Sequence, residues 1–361
     1  MKSTHKNSCR KKDSNSNSTK LKFTFFSPSL GKHISTLLII FLPALFSNCN
    51  SMHGGESLLE STIPISLRSP EPLSANDNID IFTFNDNRLM QLDSYQRISY
   101  NSTGTIKLRS QNGPKKIFAY RNAHTLRQDW YSLNSYWGLE DIRTELKDER
   151  SDMFTMSGES EAVAGSSNIS KINMQPYVSE ILLRSIRCDF TGKSYQGQKL
   201  RNVVVYLTNV NCSCPLIYDE PLNPSTFVNM GGLDDDIFRE FKEPELIMRD
   251  INSTIGQDPI RTNISLYCYP NTCKEEGPGT PFTRLVIEGR LNGQTCWWPI
   301  NINRKSDCKD PGIHRNCRYI YDLTLRTKGS DGPDDPIEIE DIDIEMNIES
   351  WNEKDNYSVE F

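Results

Sequence analysis

The chain has 361 residues, of which 41 are lysine or arginine and 47 are aspartate or glutamate. A nucleic-acid partner is excluded on this balance, because binding phosphates takes a basic surface. A hydrophobic content of 36% also excludes a protein that crosses a membrane many times, and it favours thin two-layer domains with much surface.

The N-terminal segment has the features of a lipoprotein signal peptide. A basic, polar lead ends at His33, and the uncharged run ISTLLIIFLPALF follows it from Ile34 to Phe46. This run is shorter than the ~20 residues of a membrane-spanning helix but suits a signal-peptide core. The following LFSNC resembles a lipobox, which predicts a signal peptide over residues 1–48 and a lipid on Cys49. A plain secretory signal with an incidental cysteine is the alternative.

The cysteines beyond the lipobox predict a disulfide framework. There are eight, all after position 187: Cys188, Cys212, Cys214, Cys268, Cys273, Cys296, Cys308 and Cys317. An even number in an exported chain favours disulfides. Eight cysteines allow 105 pairings, and the sequence does not select one. The best candidate pair is Cys308 with Cys317, since they bracket the turn-forming Asp-Pro-Gly at 310–312.

Residues 49–78 are predicted to be a spacer that contains one strand-like piece. In TIPISL, which runs from Thr62 to Leu67, apolar residues alternate with polar residues or proline. Because proline cannot donate a hydrogen bond to a ladder, this piece is predicted to be an edge strand or no strand at all. Arg68 follows it directly.

Short strands separated by turn signals are predicted after the spacer. They are Ile79–Phe84, Thr105–Arg109, Lys116–Tyr120, Glu180–Ile186, Val203–Val210, Ser265–Tyr269, Arg284–Glu288, Arg318–Thr327 and Glu338–Glu349. Strands at this spacing are typical of β-sandwiches.

One helix and one domain boundary interrupt the strands. Trp137–Glu149 is predicted to be a helix, because Leu139, Ile142 and Leu146 recur on one face. The small, polar stretch Gly158–Ser167 is predicted to separate two sandwiches, over residues 79–167 and 168–361.

Enzymatic chemistry finds little support in the residues. No nucleophile-elbow, zinc-protease, P-loop or dinucleotide motif is present. Cys212-Ser213-Cys214 does not have the spacing of a thioredoxin-type pair. Cys296, Cys308, His314 and Cys317 could form a zinc set, but export favours disulfides over thiolates. We therefore predict no enzyme, no cofactor and no metal site.

Two further features have an ordinary structural interpretation. The carboxylates at Asp234–Asp236 and Asp331–Asp335 match no calcium-loop pattern and are predicted to be solvated. Trp297 and Trp298 could form a platform for a sugar; alternatively, one indole faces the core of a strand and the other its surface.

The mature chain resembles the fimbrial subunits of Bacteroidales, a superfamily that includes fimbrillins, tip pilins and anchor lipoproteins. The resemblance runs through residues 79–361 in a characteristic order. The stretches that carry it are IDIFTFND from Ile79, LDSYQR from Leu92, MSGE from Met156, ILLRSI from Ile181, LYCYPN from Leu266, TPFTRLVIEG from Thr280, WPININ from Trp298, Tyr319–Gly329, Asp334-Asp335-Pro336 and a last strand that closes on Trp351.

This resemblance implies an all-β fold of two tandem transthyretin-like β-sandwich domains with one or two short helices. It implies export as a lipoprotein of the outer membrane and cell surface, and assembly with other fimbrial subunits by strand exchange. In the polymerising members of the superfamily, an arginine-specific protease removes the lipidated N-terminus with the first strand, and a neighbouring subunit's strand fills the groove. The candidate excised strand here is Thr62–Leu67 and the candidate cleavage follows Arg68. An uncut anchor in which Arg68 is an ordinary surface residue is the alternative.

The C-terminal strand allows two interpretations. Ile342, Ile344, Met346 and Ile348 alternate with acidic or polar residues. These apolar residues could be inserted into a neighbouring subunit, or they could belong to the domain's own last strand with its charged face in water. We favour the second interpretation.

The sequence as a whole predicts a non-enzymatic subunit of a cell-surface pilus that supports adhesion. Its partners would be other fimbrial subunits and, through the lipid on Cys49, a membrane. The cysteines and the many loops favour an anchor or tip role over a repeating stalk. The alternative function is a glycan-binding surface lipoprotein that uses Trp297 and Trp298.

Overall fold

The computed structural model describes residues 60–70, 77–99, 105–122, 130–304, 308–335, 337 and 342–351. Its strands are β1 (Glu60–Arg68), β2 (Asn78–Asn85), β3 (Leu92–Ser99), β4 (Ile106–Gln111), β5 (Gly113–Arg121), β6 (Arg143–Glu145), β7 (Met156–Ala164), β8 (Ser170–Asn173), β9 (Gln175–Pro176), β10 (Ser179–Cys188), β11 (Arg201–Thr208), β12 (Val210–Asn211), β13 (Ser213–Pro215), β14 (Phe227–Val228), β15 (Met248–Ile251), β16 (Ile260–Cys268), β17 (Arg284–Leu291), β18 (Gln294–Asn301), β19 (Cys317–Leu325) and β20 (Ile342–Ser350).

Helical structure in the described residues is short. One α-helical turn and four 3₁₀ turns occupy Ile237–Glu240 and Trp130–Ser132, Tyr136–Glu140, Leu146–Asp148 and Pro244–Leu246. No helix in the described part of the chain is long and apolar enough to cross a bilayer. The prediction of an all-β fold built from sandwiches is confirmed.

The N-terminal sandwich pairs a three-stranded sheet with a five-stranded one. The orders are β4-β1-β8 and β3-β2-β5-β7-β9. Aliphatic side chains from both sheets fill the space between them, and the buried members are Ile63, Ile65, Ile79, Ile81, Leu108, Ile117, Ala119, Met156, Ala164, Ile172 and Met174. This core is small and almost entirely aliphatic.

The C-terminal sandwich consists of two four-stranded sheets, in the orders β16-β10-β19-β20 and β15-β11-β17-β18. Strand β10 pairs in parallel with β19 and antiparallel with β16. Alternate residues of β19 point inward, and Tyr319, Tyr321, Leu323 and Leu325 are at most 2% exposed. The period-two pattern that predicted this strand therefore corresponds to a half-buried sheet.

The five-stranded sheet is buried on both faces, which explains why every residue of β2 from Ile79 to Phe84 is buried. Ile79 and Ile81 face the small aliphatic core, whereas Phe82 and Phe84 belong to the larger core shared with the C-terminal sandwich. Tyr136, in a 3₁₀ turn, packs edge-on against Phe84 with ring centroids 5.6 Å apart.

The helix predicted at Trp137–Glu149 is wrong, although its buried residues are the predicted ones. Leu139, Ile142 and Leu146 are at most 3% exposed. The backbone between them instead forms β6, which pairs with β13 in the register Thr144↔Cys214. Tertiary pairing overrides a local helical pattern here, because a short amphipathic helix is only marginally stable by itself.

The polar stretch Gly158–Ser167 is largely strand. It contributes most of β7, which pairs with β5 along its whole length, and β9 pairs with the start of β7. Gly158 is required by close packing, because a Cβ atom there would overlap the carbonyl oxygen of Asn173. Sheet pairing thus continues the N-terminal sandwich to Pro176, beyond the position at which the sequence suggested a boundary.

Candidate strand-exchange site

Strand β1 occupies the centre of the three-stranded sheet. It pairs antiparallel with β4 from Glu60↔Gln111 to Ile65↔Ile106, and in parallel with β8 from Ile65↔Ser170 to Arg68↔Asn173. Only Ile65 is paired on both sides. The first half of β1 therefore completes β4, and the second half completes β8.

The central position of β1 contradicts the expectation of an edge strand. Pro64 pairs with Lys107 of β4, but the pairing with β8 begins one residue later, at Ile65. Proline is tolerated because Pro64 has a strand partner on one side only. The sequence pattern indicated that Pro64 has no backbone N–H to donate. It did not indicate that β1 pairs with β4 through its first half and with β8 through its second half.

The inward side chains of β1 fill an apolar slot. Ile63 and Ile65 are 0% exposed, and Leu67 packs against the same core. The opposite wall of the slot is formed by Ile79, Ile81, Ile117, Ala119 and Met156 of the five-stranded sheet. Without β1, both the apolar slot and the backbone groups of β4 and β8 would lack a partner, and each buried unsatisfied group costs about 1–3 kcal/mol.

Arg68 ends β1 with an exposed side chain and an engaged backbone. Its carbonyl oxygen accepts a hydrogen bond of 2.7 Å from the backbone N–H of Met174. The next residue, Ser69, accepts a hydrogen bond of 3.0 Å from the guanidinium of Arg121. The Arg68–Ser69 peptide bond thus lies between two residues that are held by hydrogen bonds. The sequence analysis did not identify either contact.

Arg121 connects the end of β1 to the start of β2. Its Nη2 atom lies 2.8 Å from Asp77 Oδ2, and both side chains are 4% exposed. A buried pair of this kind is costly to break, because one charge would be left uncompensated. In the sequence, Arg121 is recognisable only as an arginine at the end of an apolar strand. Its partners are known only from the fold.

The candidate donor residues lie in β20, the edge strand of the C-terminal sheet. β20 pairs with β19 from Cys317↔Ser350 to Leu325↔Ile342. Ile342 is buried, and Ile344, Met346 and Ile348 are half-buried against the core. In this structure the strand completes its own domain.

Two arginines, one in β10 and one directly after β19, pair with acids on the outer face of this sheet. Arg326 pairs with Asp343, and Arg184 pairs with Asp322. Hydrogen bonds from these arginines hold the pKa values of Asp322 and Asp343 below the ordinary value for aspartate. Arg326 therefore partly neutralises the acidic face of β20.

The eight predicted disulfide cysteines are not joined to one another in this structure. Burial raises the pKa of Cys188 and Cys214 to about 12. Cys308 Sγ lies 2.9 Å from Asn303 Oδ1, and burial raises the pKa of Cys317. Oxidation of these cysteines stays a prediction, and the lipidation candidate Cys49 lies outside the described residues.

The residues considered for other chemistry have structural roles. Trp298 is fully buried and donates to the Thr327 carbonyl oxygen at 3.2 Å, while the half-buried Trp297 donates to Glu288 at 3.0 Å. His314 contacts Glu220 and Asp310. No group of three or more metal-ligating side chains is found in the described part of the chain.

Comparisons with known proteins show that this chain shares its fold with solved structures of cell adhesion and fimbrial proteins. No family model and no curated protein matches the chain. A candidate cell adhesion protein from Bacteroides eggerthii has a similar structure, with a TM-score of 0.59, 14% identity, and coverage of 81% of this chain and 96% of that one. A fimbrilin from Porphyromonas gingivalis has a TM-score of 0.55, 10% identity and coverage of 80% and 97%.

A third solved structure belongs to a tip fimbrial protein of P. gingivalis truncated at its C-terminus. It has a TM-score of 0.50 and 12% identity, with coverage of 81% of this chain and 100% of that one. The chain therefore has the fold of these fimbrial and adhesion proteins over nearly their full length.

Proposed function

We propose that this protein is a structural subunit of a cell-surface pilus that assembles by β-strand exchange. The observation that carries the proposal is the position of β1, an N-terminal strand that fills an apolar slot between β4 and β8. A strand donated by a neighbouring subunit would satisfy the same backbone groups and occupy the same slot. The similarity in fold to a fimbrilin and a tip fimbrial protein supports this function.

In this proposal, cleavage after Arg68 releases β1 and opens the slot. The exposed Arg68 side chain at the end of β1 supports recognition by an arginine-specific protease. An unprocessed chain would keep its own β1 and, through a lipid on Cys49, would stay attached to the outer membrane. These two outcomes correspond to a polymerising subunit and to an anchor.

Peptide competition tests the proposal. Full-length protein is treated with an arginine-specific protease, and multimers are followed by native mass spectrometry. We expect multimers only after cleavage at Arg68, and we expect an excess of the peptide ESTIPISLR to suppress them. The matched control peptide carries aspartate in place of Ile63 and Ile65, and it should have no effect. Multimers that form without cleavage, or that resist the peptide, would contradict strand exchange through this slot.

Lipidation is tested separately. Mass spectrometry of protein taken from membranes should find an acylated N-terminal Cys49, and Cys49→Ala should move the protein out of the membrane fraction. A second acyl chain or a basic patch is normally needed for stable anchoring, so the number of acyl chains is part of the measurement. An unmodified Cys49 in membrane-bound protein would remove the lipoprotein assignment.

The burial of the tryptophans does not favour the alternative function of glycan binding. A sugar-stacking platform needs exposed ring faces, and the indole of Trp298 is 0% exposed. The pilus proposal assigns no catalytic step to any residue.

A further inference from the structure

Three polar side chains meet inside the N-terminal sandwich. Asn85 of β2 and Lys115 of β5 are directly opposite each other in the strand pairing. Lys115 Nζ lies 2.5 Å from Asn85 Oδ1 and 3.2 Å from Asp93 Oδ2. The side chains of Lys115 and Asp93 are each 1% exposed. A lysine this deeply buried is rare and calls for a physical reason.

A β-bulge brings Asp93 to this position. The β2–β3 pairing passes from Thr83↔Ser94 to Phe84↔Leu92, so that Asp93 is the extra residue of β3. Bulges redirect a side chain and are frequent next to reactive sites. Asp93 Oδ2 accepts hydrogen bonds from the hydroxyl of Ser110 at 2.7 Å and the backbone N–H of Gln111 at 3.0 Å.

One oxygen of this carboxylate has an unused hydrogen-bonding capacity. Asp93 Oδ1 is buried and has no hydrogen-bond partner in the described structure. A buried acceptor without a donor is costly, and such groups often mark a reactive position. This oxygen is available to take up or deliver a proton within the site.

We propose that Lys115 and Asn85 form an intramolecular isopeptide bond, with Asp93 as the acid–base group. Asp93 takes a proton from the Lys115 ammonium, and the free amine attacks Cγ of Asn85, which is one bond away from the oxygen it already contacts. The C–Nδ2 bond of Asn85 then breaks, and the departing nitrogen collects its protons through Asp93. One lysine ammonium and one carboxamide become one secondary amide and one ammonium ion, so atoms and charge balance and no oxidant or cofactor is needed.

The geometry accounts for the choice of Asn85 as the electrophile. A carboxylate is a poor electrophile because its negative charge repels an attacking lone pair. Burial would raise the pKa of Asp93, but the hydrogen bonds from Ser110 and Gln111 and the ammonium of Lys115 together hold it below the ordinary value. Asp93 is thus an anion 3.2 Å from the Lys115 ammonium, and the anion is the form that can accept a proton from it. Asn85 is neutral and can be attacked without such repulsion.

The fixed placement of Lys115 and Asn85 would accelerate a reaction that is slow in free solution. The nucleophile and the amide are held on adjacent strands of one sheet, and well-oriented intramolecular partners reach effective concentrations of about 10⁵–10⁸ M. The side chains of Lys115 and Asp93 are also shielded from water, so hydrolysis does not compete efficiently.

The bond would join β2 directly to β5 and close the segment that contains β3 and β4. Strand β4 forms one wall of the slot for β1. The cross-link would therefore hold that wall in place when β1 leaves or when the chain is pulled. It concerns covalent chemistry within one chain and does not depend on the proposed assembly function.

The mass of the intact, denatured protein tests the inference. We expect the full-length wild-type chain to be about 17 Da lighter than its sequence, the mass of one ammonia. After trypsin, we expect a branched species that links the peptide from Ser69 to Arg88 to the peptide from Ser110 to Lys116, with no cleavage after Lys115. A wild-type chain at its full sequence mass would overturn the proposal. A loss of about 18 Da with Lys115 linked to Asp93 would overturn the choice of Asn85.

Three variants complete the test. Lys115→Arg keeps the charge but is not a nucleophile, because guanidinium is not deprotonated in proteins. Asp93→Asn keeps the shape but cannot carry the proton. Both should have the full sequence mass, which is measured whether or not the variant folds well. Asp77→Asn, the matched control, removes the acid of another buried pair in the same sandwich, and it should keep the 17 Da loss. Loss of the cross-link in Asp77→Asn but not in Asp93→Asn would exclude Asp93 as the acid–base group.

Discussion

The backbone carbonyl of Arg68 accepts a hydrogen bond from the backbone N–H of Met174 at 2.7 Å. This contact extends the parallel pairing of β1 with β8 up to the candidate cleavage position, because the accepting carbonyl belongs to the Arg68–Ser69 peptide bond. Proteases bind their substrates as extended strands, and an extended strand that is already paired is not available to them. Release of β8 is therefore expected to precede cleavage after Arg68.

The first prediction concerns the rate of this cleavage. Ile172→Ala removes the buried side chain of β8 that packs on the slot, and it should accelerate cleavage after Arg68 at least several-fold because local opening becomes easier. Arg88, exposed in the turn after β2, is the internal control, and its cleavage rate should not change. The measurement is the time course of the two fragments by mass spectrometry. Equal acceleration at both arginines would indicate global unfolding instead.

The second prediction concerns the contribution of β1 to stability. Ile65→Ala should lower the free energy of unfolding by about 2–5 kcal/mol, because it leaves a cavity at a fully buried position. Thr62→Ala on the exposed face of the same strand should change it by less than about 0.5 kcal/mol. Urea denaturation measures both. A small effect of Ile65→Ala would mean that β1 is not packed in the slot in solution.

The third prediction concerns pH. The hydrogen bond from Arg184 lowers the pKa of Asp322 in the folded protein, so this pair stabilises the fold above the unfolded pKa, and its contribution is lost as the pH falls through the folded value. Asp322→Asn should therefore lower the melting temperature at pH 7, and the difference from wild type should shrink toward pH 3. The exposed Asp86 provides the control substitution, Asp86→Asn. A difference that grows on acidification would contradict the assignment.

The fourth prediction separates core packing from sugar binding. Trp298→Ala should cost about 3–5 kcal/mol of stability, since the indole is fully buried. Trp297→Ala should cost less, because it removes a half-buried ring and its hydrogen bond to Glu288. Binding to a glycan array provides the second measurement. Specific glycan binding that Trp297→Ala abolishes, at unchanged stability, would favour the alternative function.

The sequence predicted the strands in which burial alone determines the pattern of apolar and polar residues. The alternation of apolar and polar residues in β19 and β20 is visible in the sequence, because each strand contacts its core through every second side chain. The helix predicted for Trp137–Glu149 is wrong because the pairing of Thr144 with Cys214, seventy residues away, determines the backbone conformation there. A periodic apolar pattern cannot report a partner that is distant in sequence.

The candidate sites were predictable only in part. TIPISL stood out as a strand, but its central position depends on the registers with β4 and β8. Lys115 carried no signal, since Lys-Lys after a turn resembles an ordinary solvated pair. Its burial follows from the strand register opposite Asn85 and from the bulge at Asp93.

The most direct test of strand exchange places a photoreactive residue at Lys107, which is exposed on β4 and lies opposite Pro64. Equal amounts of ¹⁴N-labelled and ¹⁵N-labelled protein are mixed, cleaved after Arg68, allowed to assemble and irradiated. We expect cross-links between peptides of different isotopic composition, with β4 of one copy joined to a strand of another. Cross-links from position 107 that stay within single copies after assembly would contradict it.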